Sequence, residues 1–117
     1  MKNANHYFGN SAGSEDFHRH SVAMKYVYTA GVKDLADQCQ AYWLIDLILS
    51  HQIYDRVRKE EFQVWDLKRE EKNRFVIVCT DGNHNHVTSQ KIPFSDFPYD
   101  LATLWLVDGC IMLPCEY

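Results

Sequence analysis

The stretch AGVKDLADQCQAYWLIDLILS, residues 30–50, determines the fold that this sequence predicts. Its apolar residues recur three or four positions apart, as they do on the buried stripe of an amphipathic helix. The stripe consists of Val32, Leu35, Ala36, Cys39, Tyr42 and Trp43. Thr29 precedes the stretch, at the position where a side-chain hydroxyl can cap the first turn of a helix. We therefore expect one continuous helix over residues 30–50, roughly 30 Å long at 1.5 Å per residue.

Alternating apolar and polar residues predict β-strands on both sides of this helix. The predicted strands cover residues 21–28, 62–67, 74–80, 87–92 and 104–113. Asp108-Gly109 interrupts the last strand with a tight turn or a bulge. The polar segments 70–73 and 81–85 predict turns, and residues 99–103 are expected to form one helical turn. The predicted fold class is α+β, with one long central helix packed on a mostly antiparallel sheet of about four to five strands.

The length of 117 residues corresponds to one domain. Residues 1–14 are polar, contain glycine and have no hydrophobic period. They predict a flexible N-terminal arm, or a segment that is ordered only by contact with the rest of the chain. Residues 15–117 are expected to form the single α+β domain.

Charge and hydropathy exclude several classes of protein. The net charge of −4 lacks the basic excess of a protein that binds nucleic acid. The longest apolar runs, 41–45 and 75–79, are far shorter than the roughly 20 residues of a membrane-spanning helix. The first twenty residues lack the basic start and apolar stretch of a signal peptide. We expect a cytoplasmic protein whose four cysteines stay reduced and form no disulfide framework.

Asp46 lies near the centre of the predicted apolar stripe. A carboxylate is costly to bury unless it is paired. In the structural interpretation, which we favour, Asp46 accepts hydrogen bonds from a backbone amide, an aromatic side chain or a basic partner in the core. In the functional interpretation, it is a general acid or base with a raised pKa, or a metal ligand.

The sequence contains six histidines, which is many for its length. His18 and His20 would project to one side of an extended segment, and His84 and His86 form a similar pair in a turn. Zinc could be bound by such residues together with Cys110 or Cys115, since it prefers nitrogen and sulfur ligands. The spacing matches no closed zinc-site pattern, so we expect no metal and no cofactor.

An enzyme that uses no metal would need another set of catalytic residues. The sequence has no nucleophile elbow, P-loop, dinucleotide-binding fingerprint or zinc-protease motif. Cys115 looks exposed but stands beside Glu116, which disfavours a reactive thiolate. The alternative function that remains is a small metal-binding protein or hydrolase that uses Asp46 with His18, His20 or His51.

Aromatic residues beside acidic ones suggest a binding surface near the end of the chain. Residues 75–117 contain five acidic residues and only one basic residue, Lys91. An acidic surface interleaved with aromatic side chains is typical of a protein-binding or nucleic-acid-mimicking surface, although an ordinary solvated surface accounts for it equally well. The candidate partner-binding residues are Phe94, Asp96, Phe97, Tyr99 and Asp100.

Four segments carry a resemblance to a known family. These are YTAGVKDLADQCQAYWLIDLILSHQ at 28–52, FQVWDLK at 62–68, FSDFP at 94–98 and LVDGCIMLPCEY at 106–117. In this order they resemble a family of small, uncharacterised bacterial proteins that are often labelled plasmid-related and treated as a domain of unknown function. The resemblance spans about residues 18–117 and supplies no activity or catalytic residues to transfer.

The resemblance implies an accessory protein of a plasmid or phage. Together with the acidic, aromatic C-terminal half, it predicts a small non-enzymatic protein that binds a host or mobile-element protein. Inhibition of a host defence nuclease complex is the sharpest form of this hypothesis. We expect neither direct nucleic-acid binding nor membrane association.

Overall fold

The computed structural model describes residues 2–8, 17–20 and 25–117. Seven strands form one sheet in the order β1-β2-β7-β6-β3-β4-β5. Their bounds are β1 Phe17–Arg19, β2 Val27–Thr29, β3 Phe62–Glu71, β4 Arg74–Asp81, β5 His86–Ile92, β6 Leu101–Val107 and β7 Cys110–Met112. All neighbouring strands are antiparallel except β2 and β7, which are parallel.

Three α-helices precede the long strands: α1 Ala30–Cys39, α2 Tyr42–Ser50 and α3 Asp55–Arg58. Short 3₁₀ helices lie at Ala4–His6, His51–Ile53 and Pro114–Glu116. No helix in the described part of the chain is long and apolar enough to cross a membrane.

The predicted α+β class is confirmed, but the single long helix is wrong. The helix ends at Cys39 because Gln40 adopts the left-handed conformation, with φ 51°. The backbone N–H groups of Gln40 and Ala41 both donate to the carbonyl oxygen of Ala36, which closes the C-terminus of α1. Helices α1 and α2 therefore share no continuous hydrogen-bond ladder.

The break also changes which residues of α2 face the core. In a continuous helix, the buried stripe of α1 would pass through Trp43 and Asp46. In the structure α2 instead buries Leu44, Ile45, Ile48 and Leu49. Asp46 consequently points outward, with 66% of its side chain exposed. The predicted burial of Asp46 is wrong because the break resets the helical phase.

The sheet has more strands than the four to five predicted. The predicted strands in the second half of the chain are present, but β6 starts at Leu101, so the helical turn predicted for 99–103 is wrong. The Asp108-Gly109 interruption is a tight turn, with φ 51° and 77°, and it divides the last predicted strand into β6 and β7. Strand β1 was not predicted, and residues 21–24 of the first predicted strand lie outside the described residues.

One face of the sheet forms the core with the helices. Alternate residues of β3, β4 and β6 are buried on this side. The largest of them are Trp65, Leu67, Phe75, Ile77 and Leu104. The helices contribute the apolar residues of α1 and α2 together with Val57 of α3.

A pair of glutamines is buried between the helices and the sheet. Gln52 and Gln63 are 5% and 2% exposed, and each amide donates to the carbonyl oxygen of the other at 2.9 Å. The indole N–H of Trp65 also donates to Gln63 Oε1 at 2.9 Å. Because these buried polar groups have hydrogen-bond partners, the pair joins β3 to the segment after α2 without an unpaired amide.

Residues 2–8 lie against the free edge of β6, beyond the short strand β7. The Asn5 side chain donates to the Thr103 carbonyl oxygen at 2.8 Å and accepts from its N–H at 2.7 Å. Asn3 forms an isolated parallel bridge with Leu101, and Ala4 is fully buried. Of the arm predicted for 1–14, Met1 and residues 9–14 lie outside the described residues.

Candidate functional site: the open face of the sheet

The side of the sheet opposite the helices carries a broad set of half-buried apolar residues. They alternate with the core residues along each strand, so they point away from the helices. We call this surface the open face. Its apolar members are Phe62, Val64, Val76, Val78, Leu101, Trp105, Val107, Cys110 and Met112. The polar pair Asp66 and Thr103 lies among them on β3 and β6.

Strand register places these residues side by side. Val64 is opposite Trp105, and Trp105 is opposite Met112, so one apolar row crosses β3, β6 and β7. In the next row, Phe62 is opposite Val107, which is opposite Cys110. Facing residues on neighbouring strands are close enough to pack together, so the rows form a continuous apolar surface.

Three aromatic rings pack together at one end of the open face. The ring centroids of Phe62 and Trp105 are 4.9 Å apart, and Tyr117 lies 5.7 Å and 5.6 Å from them. Tyr117 is 73% exposed. Tightly packed aromatic residues of this kind are typical anchors of protein interfaces.

The sequence of the central strands is that of a sheet covered on both sides. The run FVIVC of β4 and the run LATLWLV of β6 are apolar nearly throughout. Such runs are typical of strands that are buried on both faces, whereas a half-solvated strand alternates apolar and polar residues. The described helices cover only one of the two faces.

The two ends of the open face differ in charge. At one end Lys68 and Lys91 flank Val76 in one row across β3, β4 and β5. Arg74 forms an ion pair with Glu71 at this end. The positive charges of the two lysines therefore exceed the one negative charge that remains, on Glu70. At the other end, β3 is preceded by Glu61, β4 ends at Asp81 and β6 is followed by Asp108. Glu61 and Asp81 are in phase with the buried residues of their strands, so they lie outside the open face. The face is therefore basic at one end, and its own carboxylate is Asp66, which accepts a hydrogen bond from the Thr103 hydroxyl.

The partner-binding residues predicted between Phe94 and Asp100 do not form one exposed surface. Phe97 is 1% exposed and packs edge-on against the ring of Phe75, so its assignment to a binding surface is wrong. Tyr99 is half-buried, and its ring packs against the rings of Tyr7, Phe8 and Phe97. Phe94, at 70%, and Asp96 remain exposed.

Asp100 and two other acidic residues of the C-terminal half have structural partners. Asp100 accepts from Arg69 Nε at 2.8 Å and from the backbone N–H of Lys2 at 2.9 Å. Asp81 accepts from backbone N–H groups within its own turn, and Glu116 accepts from the backbone N–H of Gly31. The acidic residues are thus distributed over separate parts of the fold and form no single acidic face.

Of the predicted alternative active site, only one pair is brought together. His20 Nε2 lies 2.6 Å from Asp46 Oδ1, which ties the end of β1 to α2. His18 instead stacks on Tyr28, and His51 Nε2 lies 2.7 Å from Gln90 Oε1. His20 and Asp46 line none of the cavities of about 280 Å³ and 440 Å³ at the two ends of the sheet.

The histidine and cysteine side chains also have separate surroundings. In the described ranges, no group of three His, Cys, Asp or Glu side chains could hold a metal ion. Burial raises the pKa of Cys39 to about 11 and of Cys79 to about 12, and it also raises the pKa values of Cys110 and Cys115. No disulfide joins the four residues. Their thiols are protonated near neutral pH and are poor nucleophiles.

Sequence reasoning missed the open face, although a signal for it was present. The alternation of FQVWDLK was used to place a strand, but the outward residues Phe62 and Val64 are as apolar as the inward Trp65 and Leu67. Apolar residues on both sides of a strand indicate two buried faces.

No curated protein and no solved structure matches this chain. One family model does match it, over residues 2–117, which is nearly the whole chain. The chain therefore belongs to this family of unknown function (DUF6876).

Proposed function

We propose that the protein is a non-enzymatic protein-binding module that uses the open face of its sheet. The observation that carries the proposal is the contiguous apolar surface around Phe62, Val64 and Trp105. Contiguous exposed apolar patches on soluble domains typically mark sites of association. The clustered aromatic rings and the strand composition support the same function.

The hypothesis of a plasmid or phage accessory protein that inhibits a host defence nuclease stays a prediction. This hypothesis rests on the family resemblance. The acidic surface that it invoked does not form, so the open face takes its place as the candidate binding surface. The alternative hydrolase or metal protein retains one supporting contact, between His20 and Asp46. We favour the binding function because the exposed Asp46 carboxylate faces water, which the active site of a hydrolase typically excludes.

Site-specific photo-cross-linking in cells that produce the protein tests the proposal. A photoreactive phenylalanine analogue replaces Phe62 on the open face or, as a control, Ile53, which is 71% exposed on the helical side. We expect a discrete protein adduct from position 62 and none from position 53. Mass spectrometry of the adduct identifies the partner.

A charge in the centre of the open face provides the second arm. Val64→Asp should remove the adduct formed from position 62, because a carboxylate would have to be desolvated in the interface. Ile53→Asp should leave it intact. The absence of any adduct from position 62, or an adduct that survives Val64→Asp in folded protein, would contradict the proposal.

A further inference from the structure

We propose that the partner of the open face is an amphipathic α-helix of another protein, with acidic residues at the end that lies over Lys68 and Lys91. This inference rests on the proposed function of the open face and identifies its occupant. Three features support it: the course of an apolar band across the face, a polar pair beside that band, and the positive charge at one end.

An apolar band crosses the open face diagonally. Trp105 on β6 is opposite Val64 on β3. In the next two rows along the strands, the apolar residues are Val78 and then Val76, both on β4. We call these four residues the diagonal band. The band is about two strands wide, or roughly 10 Å, which is close to the diameter of one helix.

A helix suits the diagonal band better than an extended segment does. The face of a sheet offers its partner side chains, because the backbone groups of its strands are paired with neighbouring strands. A single extended segment on the face would therefore leave its own backbone N–H and C=O groups unpaired. A helix pairs these groups internally.

The polar pair Asp66 and Thr103 disfavours a second sheet as the occupant. The pair lies beside the diagonal band, and the Thr103 hydroxyl donates to Asp66 Oδ1 at 2.5 Å. It is the only hydrogen-bond donor to the Asp66 carboxylate among the described residues. A sheet over the whole face would bury this carboxylate with too few partners, which is costly. A single helix along the band leaves it accessible to water.

Positive charge at the end of the band favours an acidic helix. Lys68 and Lys91 flank Val76, and Lys72 lies in the adjoining turn between β3 and β4. Within the described part of the chain, none of these three lysines forms an ion pair. A carboxylate of the partner placed over Val76 would lie between two of them. Complementary charges of this kind steer association and fix the orientation of the partner.

A cavity at the same end provides space for a side chain of the helix. It has a volume of about 440 Å³ and is lined by Lys68, Arg69, Asp100 and Leu101. Arg69 and Asp100 form an ion pair at 2.8 Å, so Lys68 supplies the net charge of the cavity. This positively charged recess suits an acidic side chain near the end of the helix.

Cross-linking from two positions measures the geometry of the bound segment. Six residues separate Phe62 from Lys68, which is opposite Val76, so positions 62 and 76 lie about 20 Å apart. A helix spans this distance in about 13 residues, whereas an extended segment needs about six. The photoreactive phenylalanine analogue is placed at either position in cells that produce the protein, and mass spectrometry maps the labelled partner residues. We expect two labelled sites about 10 to 16 residues apart in one partner segment, with Asp or Glu within one turn of the site labelled from position 76.

The labelled partner segment, made as a fluorescent peptide, tests the charges. The chain that carries Lys68→Glu and Lys91→Glu should bind this peptide at least about tenfold more weakly. Replacing the acidic residues of the peptide by lysine should restore its binding to this variant. The control chain carries Lys33→Glu and Lys59→Glu, on α1 and after α3, and should bind within about twofold of wild type. Circular dichroism verifies that each variant is folded.

The outcomes separate this inference from the proposed function. Labelled sites about six residues apart, or sites with no acidic neighbour, overturn the inference and leave the binding function standing. Unchanged affinity of the Lys68→Glu and Lys91→Glu variant, or an adduct with a second copy of this chain, does the same. The absence of any adduct from position 62 overturns both.

Discussion

The carboxylate of Glu116 lies against the first turn of α1, where its Oε2 accepts a hydrogen bond from the backbone N–H of Gly31 at 3.3 Å. Its Oε1 accepts from the hydroxyl of Thr29 at 2.6 Å and from the N–H of Leu113 at 2.9 Å. An anion is favoured at a helix N-terminus by the helix dipole and the unpaired N–H groups. This contact fixes the end of the chain, and with it Tyr117, beside the open face.

Gly31→Ala should destabilise the protein, although alanine usually favours a helix by about 1 kcal/mol over glycine. A Cβ at position 31 would lie 2.7 Å from Glu116 Oε2, so the carboxylate must move away and lose its hydrogen bonds. The loss of bonds to a charged group costs about 1.5 to 3 kcal/mol, which outweighs the gain.

The measurement is chemical denaturation of four proteins: wild type, Gly31→Ala, Glu116→Ala and the double variant. In the Glu116→Ala background the obstacle is absent, so Gly31→Ala should stabilise the protein. A stabilising effect of Gly31→Ala in both backgrounds would contradict the role assigned to Glu116.

Gln63→Leu should lower the free energy of unfolding by about 1 to 3 kcal/mol, because it leaves the buried Gln52 Oε1 and the Trp65 indole N–H without a partner. Urea denaturation followed by tryptophan fluorescence measures the change. Gln38→Leu, on an exposed residue of α1, is the control. If Gln63→Leu is as stable as wild type, the glutamine pair does not form.

Replacement of Arg69 by lysine should destabilise the protein. Its guanidinium bonds Asp100 and the carbonyl oxygen of Phe97, and it lies 4.6 Å above the ring of Phe75. Lysine keeps the charge but lacks the planar fork that makes these bonds together. We expect Arg69→Lys to lose about 1 to 3 kcal/mol and to speed proteolysis at residues 93–100. Arg74→Lys, at an exposed ion pair, should behave as wild type in both assays.

Acid should destabilise the fold through Asp81 and Asp100. Hydrogen bonds from Asn85 and Asn83 lower the pKa of Asp81, and those from Lys2 and Arg69 lower the pKa of Asp100. A carboxylate whose folded pKa is lowered stabilises the protein above its ordinary pKa of 3.8 and loses this effect as the pH falls through the folded value. Asp81→Asn should therefore flatten the decline in melting temperature below about pH 4. Asp96→Asn, an exposed control, should leave the decline as steep as in wild type.

Asp46→Ala should change the stability little. Its carboxylate is 66% exposed, so its contact with His20 is screened by water. Exposed ion pairs typically contribute about 0 to 1 kcal/mol. Thermal denaturation of Asp46→Ala and His20→Ala measures the effect, with Ile48→Ala in the core of α2 as a positive control. A loss above about 2 kcal/mol would place Asp46 in a buried network instead.

Local sequence patterns determined much of the secondary structure. The period-two alternation placed β3, β4 and β5 within a few residues, and Thr29 accepts from the N–H of Val32 as the expected cap of α1. Asp108-Gly109 marked the turn between β6 and β7. These features depend on the conformations that a few neighbouring residues prefer, so a single sequence contains them.

Only the tertiary structure decided which faces of these elements are buried. No glycine or proline marks the break at Gln40, because the left-handed residue there is stabilised by packing Ala41 and Leu44 into the core. That break turned Asp46 outward, and the fold of the loop before β6 turned Phe97 inward. Burial depends on contacts between residues that are distant in the chain. The hydrophobic effect has no direction of its own, so a local sequence pattern does not show which face these contacts will cover. The sequence by itself therefore determined the long strands β3, β4 and β5 and the α+β class, whereas the candidate binding surface became recognisable only once the helices were seen to cover one face of the sheet.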